Sequence, residues 1–392
     1  MSLNNSKRGV YKYLKIFGFV AVSLLLLPNL RAEAVQLVSS DPASEEETHV
    51  GEKEEFNAGT VIIEHIINAY EWHICQWKGK HISIPLPVIL IEGGKLHVFS
   101  SSHFHHGEMA YQGFKIWQED GMKKGRIVKV DEQGNRIENA SFIDISITKN
   151  VLSLFIGFTI ILAIFLSMAK GYRKRGVEAP KGIARAIEPL ILFVRDDIAR
   201  PAIGHKHERY LPFLLTVFFF IFLNNLLGLI PFFPGGANLT GNISVTLVLA
   251  LFTFIITNVS ANRNYWKHIV NTPGVPWWLK IPLPIMPIVE FIGVLTKPIV
   301  LTIRLFANIS AGHIICLGFI SLIIIFGQMA PVAGYGVSVF SVFFYIFMSL
   351  LELLVAFIQA FVFTLLSAIY IGMAIEEHHH EAAEHTVLEE VK

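Results

Sequence analysis

The chain has 392 residues, of which 53% are hydrophobic and only 16% charged, with 31 phenylalanines. A soluble domain carries roughly a quarter charged residues, so the charge deficit indicates a membrane protein and excludes a disordered chain. Glycine without a period excludes collagen, two cysteines (Cys75 and Cys316) exclude a disulfide scaffold, and a net charge of +1 gives no nucleic-acid signature.

Lys7, Arg8, Lys12 and Lys15 precede an apolar run from Ile16 to Leu27, followed by Pro28 and Ala32-Glu33-Ala34. This is the pattern of a signal peptide over residues 1–34; a first membrane anchor would need about twenty apolar residues. Cleavage after Ala34 would leave the new N-terminus on the exported side. Residues 35–150 then read as an exported region. An acidic stretch (Asp41, Glu45, Glu46, Glu47, Glu52, Glu54, Glu55) has the composition of a solvated tail. Hairpin turns are expected at Gly93-Gly94 and at Gly134-Asn135, giving a small β element. His103, His105 and His106 with Glu108 offer metal-ligand chemistry, although a His-rich exported loop is more often only solvated.

Val151 to Ala169 has no ionisable side chain and is long enough to cross a core of about 30 Å as a helix. Next come Lys170, Arg173, Lys174, Arg175, Lys181, Arg185, Arg195, Arg200, Lys206 and Arg209, which the positive-inside rule assigns to the cytoplasm. Within that stretch Ile183, Ile187, Leu190, Ile191, Val194 and Ile198 share one helical face, predicting a helix on the membrane surface. Leu211 to Asn262 carries no charge and is interrupted by turn residues from Pro231 to Gly241, so it reads as two spans. Arg263, Lys267 and Lys280 mark a return to the cytoplasm. An uncharged loop from Gly327 to Gly336 would face outward.

The last two apolar segments, near Pro284–Phe326 and Tyr335–Ile375, each have about 40 residues, or about 60 Å as helix. They predict a long, strongly tilted antiparallel hairpin wrapped on a partner surface. The fold expected is an all-α polytopic membrane protein of about five embedded helices with a small exported β-containing N-terminal region. The membrane domain would cover residues 151–377 and a cytoplasmic tail residues 378–392.

Between Lys297 and Glu376 the only Asp, Glu, Lys, Arg or His side chains are Arg304, His313 and Glu352. An arginine at mid-membrane costs from about 3 to more than 10 kcal/mol, so it needs a partner or a purpose. One hairpin register sets His313 opposite Glu352 and, within half a turn, Arg304 opposite Gln359. Arg304 and His313 lie about 180° and about 13.5 Å apart on one helix, and Glu290 lies fourteen residues before Arg304 on a similar face. Titratable groups thus stand on either side of a fixed cation that does not release its proton.

The run Leu301-Thr302-Ile303-Arg304-Leu305-Phe306-Ala307-Asn308 with Ala311-Gly312, and the run Gln359-Ala360-Phe361-Val362-Phe363, resemble the two most characteristic stretches of the a subunit of the F-type ATP synthase membrane sector. Asn224-Asn225-Leu226-Leu227-Gly228-Leu229-Ile230-Pro231 and Asn242-Ile243-Ser244-Val245-Thr246 add to the similarity, which spans about residues 181–377. The resemblance implies proton translocation in a bacterial inner membrane. Arg304 would face the carboxylate of a rotating c-subunit ring, and Asn308 and Gln359 would orient it. His313, Glu352 and Glu290 would relay protons. A b-subunit peripheral stalk, the F1 sector and membrane lipid would be partners, with no cofactor and no enzymatic activity in the subunit alone. His313 stands where many members have Glu, and Glu352 where many have His. The exported stretch 79–145 is longer than in familiar members. Two rivals are a standalone ion or metal transporter, suggested by HFHHGE and EEHHHE, and an intramembrane protease, suggested by Ser310 and His313. The first lacks further intramembrane ligands and the second lacks a nucleophile turn.

Overall fold

A computed structural model describes residues 68–77, 80–118, 124–137, 140–175, 181–230, 233, 235–270 and 285–376. The expected signal peptide, the acidic stretch, most of the EEHHHE segment and the C-terminal tail lie outside the described residues.

A small β module comes first. Strands β1 (Glu71–Trp77) and β2 (Lys80–Pro85) form a hairpin; β3 (Pro87–Glu92) lies between β4 (Lys95–Ser100) and β7 (Ile143–Asp144); β5 (Phe114–Ile116) pairs with β6 (Ile127–Lys129). The Gly93-Gly94 turn joins β3 to β4 as the sequence predicts, with both glycines at positive φ. The second expected hairpin is reduced to one bridge, Val130 with Arg136, because Asp131 bonds back to the turn amides of Gln133 and Asn135. Val88, Leu90, Phe99, Phe104, Phe114 and Ile127 fill the core.

Seven α-helices of eight or more residues follow among the described residues. They are α1 (Lys149–Arg175), α2 (Ile183–Phe193), α3 (His207–Leu229), α4 (Ile243–Ser260), α5 (Arg263–Val270), α6 (Ile285–Met329) and α7 (Pro331–Ile375). A π-helical turn (Val194–Ala199) and a short helix (Arg200–Ile203) extend α2 toward α3. Among the described residues five helical stretches are long and apolar enough to cross a membrane, so the chain is a multi-pass, mostly helical membrane protein. Pro231–Gly241 does separate α3 from α4. The loop expected over Gly327–Gly336 is almost wholly helical. The break is confined to Ala330, and α6 and α7 have 45 residues each. A Cβ on Gly334 would come within 2.7 Å of the Gly327 Cα, so two facing glycines let the helices meet without a loop.

The interior of the membrane domain is built on α3, whose Leu214, Phe218, Phe219 and Ile221 are fully buried against Val194, Ile198, Leu301 and Leu305. The inner face of α7 presents Ala356, Ala360, Thr364, Ser367, Ala368 and Ile371 at helical spacing, all buried. Small residues allow backbones to approach closely in lipid. The extreme case is Gly372, where a Cβ would fall 1.9 Å from the Ala202 carbonyl oxygen. Asn262 closes the end of α7 by donating its side-chain amide to the Ile375 carbonyl and its backbone amide to that of Ala374.

The β module is fastened to the membrane domain at two points. Lys149 donates its backbone amide to Ala69, and the Asn150 amide donates to the Asn68 side chain. Trp72 is buried and packs edge-on against Phe233 of the α3–α4 loop, ring centres 5.3 Å apart.

Candidate functional site

The hairpin of α6 and α7 positions every residue expected to act. His313 and Glu352 meet across it, His313 Nδ1 lying 3.5 Å from Glu352 Oε1, both side chains largely buried. Cys316, one turn beyond His313, donates its thiol to the other carboxylate oxygen at 3.4 Å. Gly312 makes room for the carboxylate, since a Cβ there would lie 2.5 Å from Glu352 Oε1. On its other side His313 turns Nε2 toward Gly228 of α3.

Around this pair the end of α3 and the α3–α4 loop supply buried polar atoms. Thr240 donates to Asn225, and Ser310 donates to the Gly241 carbonyl at 3.4 Å. The amide nitrogens of Asn225 and Asn238 have no hydrogen-bond partner among the described residues. Buried donors left open in this way suit a water-filled path. Asn238, Thr240 and Cys316 escaped the sequence reading, because nothing in their spacing ties the loop to His313.

Arg304 lies on a different face. It is exposed on the outward stripe of α6 together with Ile299, Ile303 and Asn308. Gln359 sits at the same level of the hairpin but is buried among Ala356 and Ala360. The register is therefore as expected at His313 and Glu352, whereas no hydrogen bond joins Arg304 to Gln359 or Asn308 among the described residues. A guanidinium among the aliphatic side chains of that outward face is costly to leave in lipid.

A third polar group lies toward the far end of α6. Glu290 stands two turns before Lys297, and the Lys297 ammonium is held over two rings, 5.6 Å from the centre of Tyr265 and 5.2 Å from that of Tyr370. Burial, and then the nearby Glu290 carboxylate, push the Tyr265 phenol up from its ordinary value. A small cavity adjoins it, lined by Thr257, Asn258, Tyr265, Lys297 and Tyr370 among others, and the Tyr265 hydroxyl and Thr257 hydroxyl have no partner among the described residues. Lys297, Tyr265 and Tyr370 were not singled out from sequence, since α5, α6 and α7 bring them together from three distant segments. The HFHHGE segment forms no site of three or more ligands among the described residues. It is a 3-10 turn in which His103 bonds to the Ser100 carbonyl and His106 pairs with Glu71 at 2.8 Å.

Residues 151–372 match the family model of the ATP synthase A chain. The chain belongs to this family. Among curated relatives, the ATP synthase subunit a of Chloroherpeton thalassium is 45% identical over 261 residues, covering 64% of this chain and 73% of the relative. That of Pelodictyon phaeoclathratiforme is 47% identical over 251 residues, 62% of this chain and 69% of the relative. That of Myxococcus xanthus is 43% identical over 245 residues, 61% and 76%. As a member of the ATP synthase A chain family the protein is a membrane subunit of a larger complex and not an enzyme on its own. Residues 61–146 match a second family model described as a domain of unknown function.

Proposed function

We propose that the chain is the proton-translocating stator subunit a of an F-type ATP synthase, with Arg304 as the fixed charge between two aqueous half-channels. The observation that carries this is the distribution of polar groups along α6 and α7. The His313 and Glu352 pair, in its cluster of open buried donors, lies about 13.5 Å along the helix from Arg304, and Glu290 lies about 21 Å from it the other way.

In this reading a proton enters from the exported side through the polar cluster around Asn225, Asn238 and Thr240. It is passed by His313 and Glu352 to the carboxylate of a c-subunit that has just left Arg304. Neutralised, that carboxylate turns into lipid. After nearly a full circuit it gives its proton up toward Glu290 and the cytoplasm, and the anion is drawn to Arg304. Arginine stays protonated throughout the pH range in which proteins work, so the cation blocks a direct leak between the two paths. Each charge moved across 100 mV supplies about 2.3 kcal/mol. The outward position of Arg304 and Asn308 on an apolar face supports contact with the ring. Gln359 is buried behind that face and makes no hydrogen bond to Arg304 among the described residues. The b-subunit stalk is the second partner and F1 an indirect one. Signal cleavage after Ala34, an exported N-terminus, a cytoplasmic C-terminus and a bacterial inner-membrane location complete the reading, with residues 35–150 exported, 151–377 in the membrane and 378–392 cytoplasmic.

Arg304→Lys tests it. The change keeps a charge but removes the planar group and allows deprotonation in a dry site. Inverted vesicles with assembled complex should lose ATP-driven proton pumping. Pumping near the wild-type rate would refute the fixed-cation role.

A further inference from the structure

On its cytoplasmic half the proposed pathway needs more groups than α6 supplies. Arg304 and Glu290 are fourteen residues apart, about 21 Å along the helix axis. A proton passes only between groups within hydrogen-bond reach, about 3 Å, or through one intervening water. Between the two residues α6 offers three polar side chains, Thr296, Lys297 and Thr302. Both threonines donate to carbonyls of their own helix, those of Gly293 at 2.9 Å and Pro298 at 2.8 Å, and an ammonium has no lone pair to accept a proton.

Groups suited to the task line the cavity on the inner side of α6. Val294, Lys297 and Leu301 form its α6 wall, which places it between Glu290 and Arg304 along the axis, and Thr257 and Asn258 of α4 with Tyr265 of α5 complete it. Asn258 donates its side-chain amide to the Phe254 carbonyl at 2.7 Å. Its carbonyl oxygen, the Thr257 hydroxyl and the Tyr265 hydroxyl are buried without a partner among the described residues, and Thr257 as a whole is only 3% exposed. Buried polar atoms are costly to leave open, so three around one cavity point to a shared partner. The cavity is about 10 Å³, close to the least that admits a water molecule, and a buried water makes about three hydrogen bonds. Size and bonding capacity agree on one water. It would accept from Thr257 and donate to Asn258 and Tyr265, with one lone pair left for an incoming proton.

We infer that this cavity holds a single water, and that the water and the Tyr265 hydroxyl are the relay by which protons cross from the level of Arg304 toward Glu290, with Thr257 and Asn258 as the positioning residues that orient the water. This rests on the proton-translocating reading and adds an interior outlet to it. Only protons move. One arrives on the free lone pair of the water, the water passes another of its hydrogens to the Tyr265 oxygen, and the phenol's own proton goes on toward the Glu290 side. Rotation of the hydroxyls restores the starting arrangement. The Lys297 ammonium, held over the Tyr265 and Tyr370 rings, repels a proton that would otherwise rest in the cavity.

The test uses ATP-driven pumping in inverted vesicles, normalised to the amount of assembled complex. Tyr265→Phe keeps the ring beneath Lys297 and leaves the water two other bonds, so it should assemble normally while pumping falls roughly tenfold. Thr257→Val, which keeps the shape without the hydroxyl, should be similarly slow, and Thr257→Ser should recover most of the rate. Proton transfer then limits the cycle, so the solvent deuterium isotope effect on pumping should rise in both slow variants, which a merely structural defect would not cause. Arg304→Lys, measured alongside, separates the two claims: wild-type pumping there would sink the translocation reading itself. Loss of pumping there with wild-type rates in Tyr265→Phe and Thr257→Val would leave that reading standing and overturn the relay. An unchanged isotope effect in the slow variants, or no recovery in Thr257→Ser, would equally overturn it. A measurement on the unaltered complex guards against misassembled variants: a density map fine enough to show waters should place one within hydrogen-bond reach of Thr257 Oγ1, Asn258 Oδ1 and Tyr265 Oη, and a map without it would refute the inference.

Discussion

Gly312→Ala is the sharpest perturbation the site allows, because it adds one methyl group and changes no titratable residue. The new Cβ would lie 2.5 Å from Glu352 Oε1, 3.0 Å from Cγ and 3.2 Å from Cδ. Comfortable contact is nearer 3.5 Å, so the carboxylate must withdraw by about 1 Å. Its nearest approach to His313 is already 3.5 Å, and the same movement strains the Cys316 bond at 3.4 Å. Overpacking of this kind costs about 1–3 kcal/mol. If that cost falls on proton transfer through the pair, the rate drops roughly tenfold or more, one decade for each 1.4 kcal/mol or so. ATP-driven pumping would be followed by dye quenching in inverted vesicles, normalised to the amount of assembled complex. Gly312→Ala should be slow, and adding Glu352→Asp, which draws the carboxylate back by one methylene, should restore part of the rate. Wild-type pumping by Gly312→Ala in fully assembled complex would show that the pair's geometry does not govern proton uptake.

Two other outcomes follow from the same geometry. His313→Glu combined with Glu352→His should pump faster than either single change, because the two side chains face each other and a relay needs one of each; failure to improve on both would separate them functionally. Tyr265→Phe removes a buried hydroxyl that has no partner among the described residues, so thermal stability in detergent at pH 7–8 should be unchanged or slightly higher. The Tyr265 phenol has a folded-state value above its ordinary one near 10, so its share of stability is complete below about pH 10 and lost as pH rises through the folded value. The variant should therefore lose less stability than wild type in that alkaline window, and a loss at pH 7 would contradict the account.

Much of the membrane domain was legible because charge is so scarce there. Uncharged runs mark the spans, and an antiparallel register by itself sets His313 opposite Glu352, where the structure has them. At Arg304 the same register does not bring Gln359 into hydrogen-bond reach. Residue numbers fix the level along a hairpin but not the face, and Gln359 belongs to the small-residue inner face of α7 while Arg304 belongs to the outer face of α6. The loop expected at Gly327–Gly336 failed for a related reason. Glycines read as turn formers in sequence, yet Gly327 and Gly334 serve close helix packing next to a one-residue break. Lys297 with Tyr265 and Tyr370, and the donors on Asn225 and Asn238, depend on contacts between distant segments, and no local pattern encodes them.

The central claim is that separate aqueous paths reach the two ends of this polar axis with Arg304 between them. Side-specific thiol labelling tests it most directly, using Glu290→Cys and His313→Cys in a background with Cys75 and Cys316 replaced and the complex assembled. A membrane-impermeant thiol reagent should reach position 290 from the cytoplasmic face of inverted vesicles and position 313 from the opposite face in right-side-out vesicles. Labelling of both positions from the same face would mean one aqueous pocket serves both groups, and the two-path mechanism would be wrong.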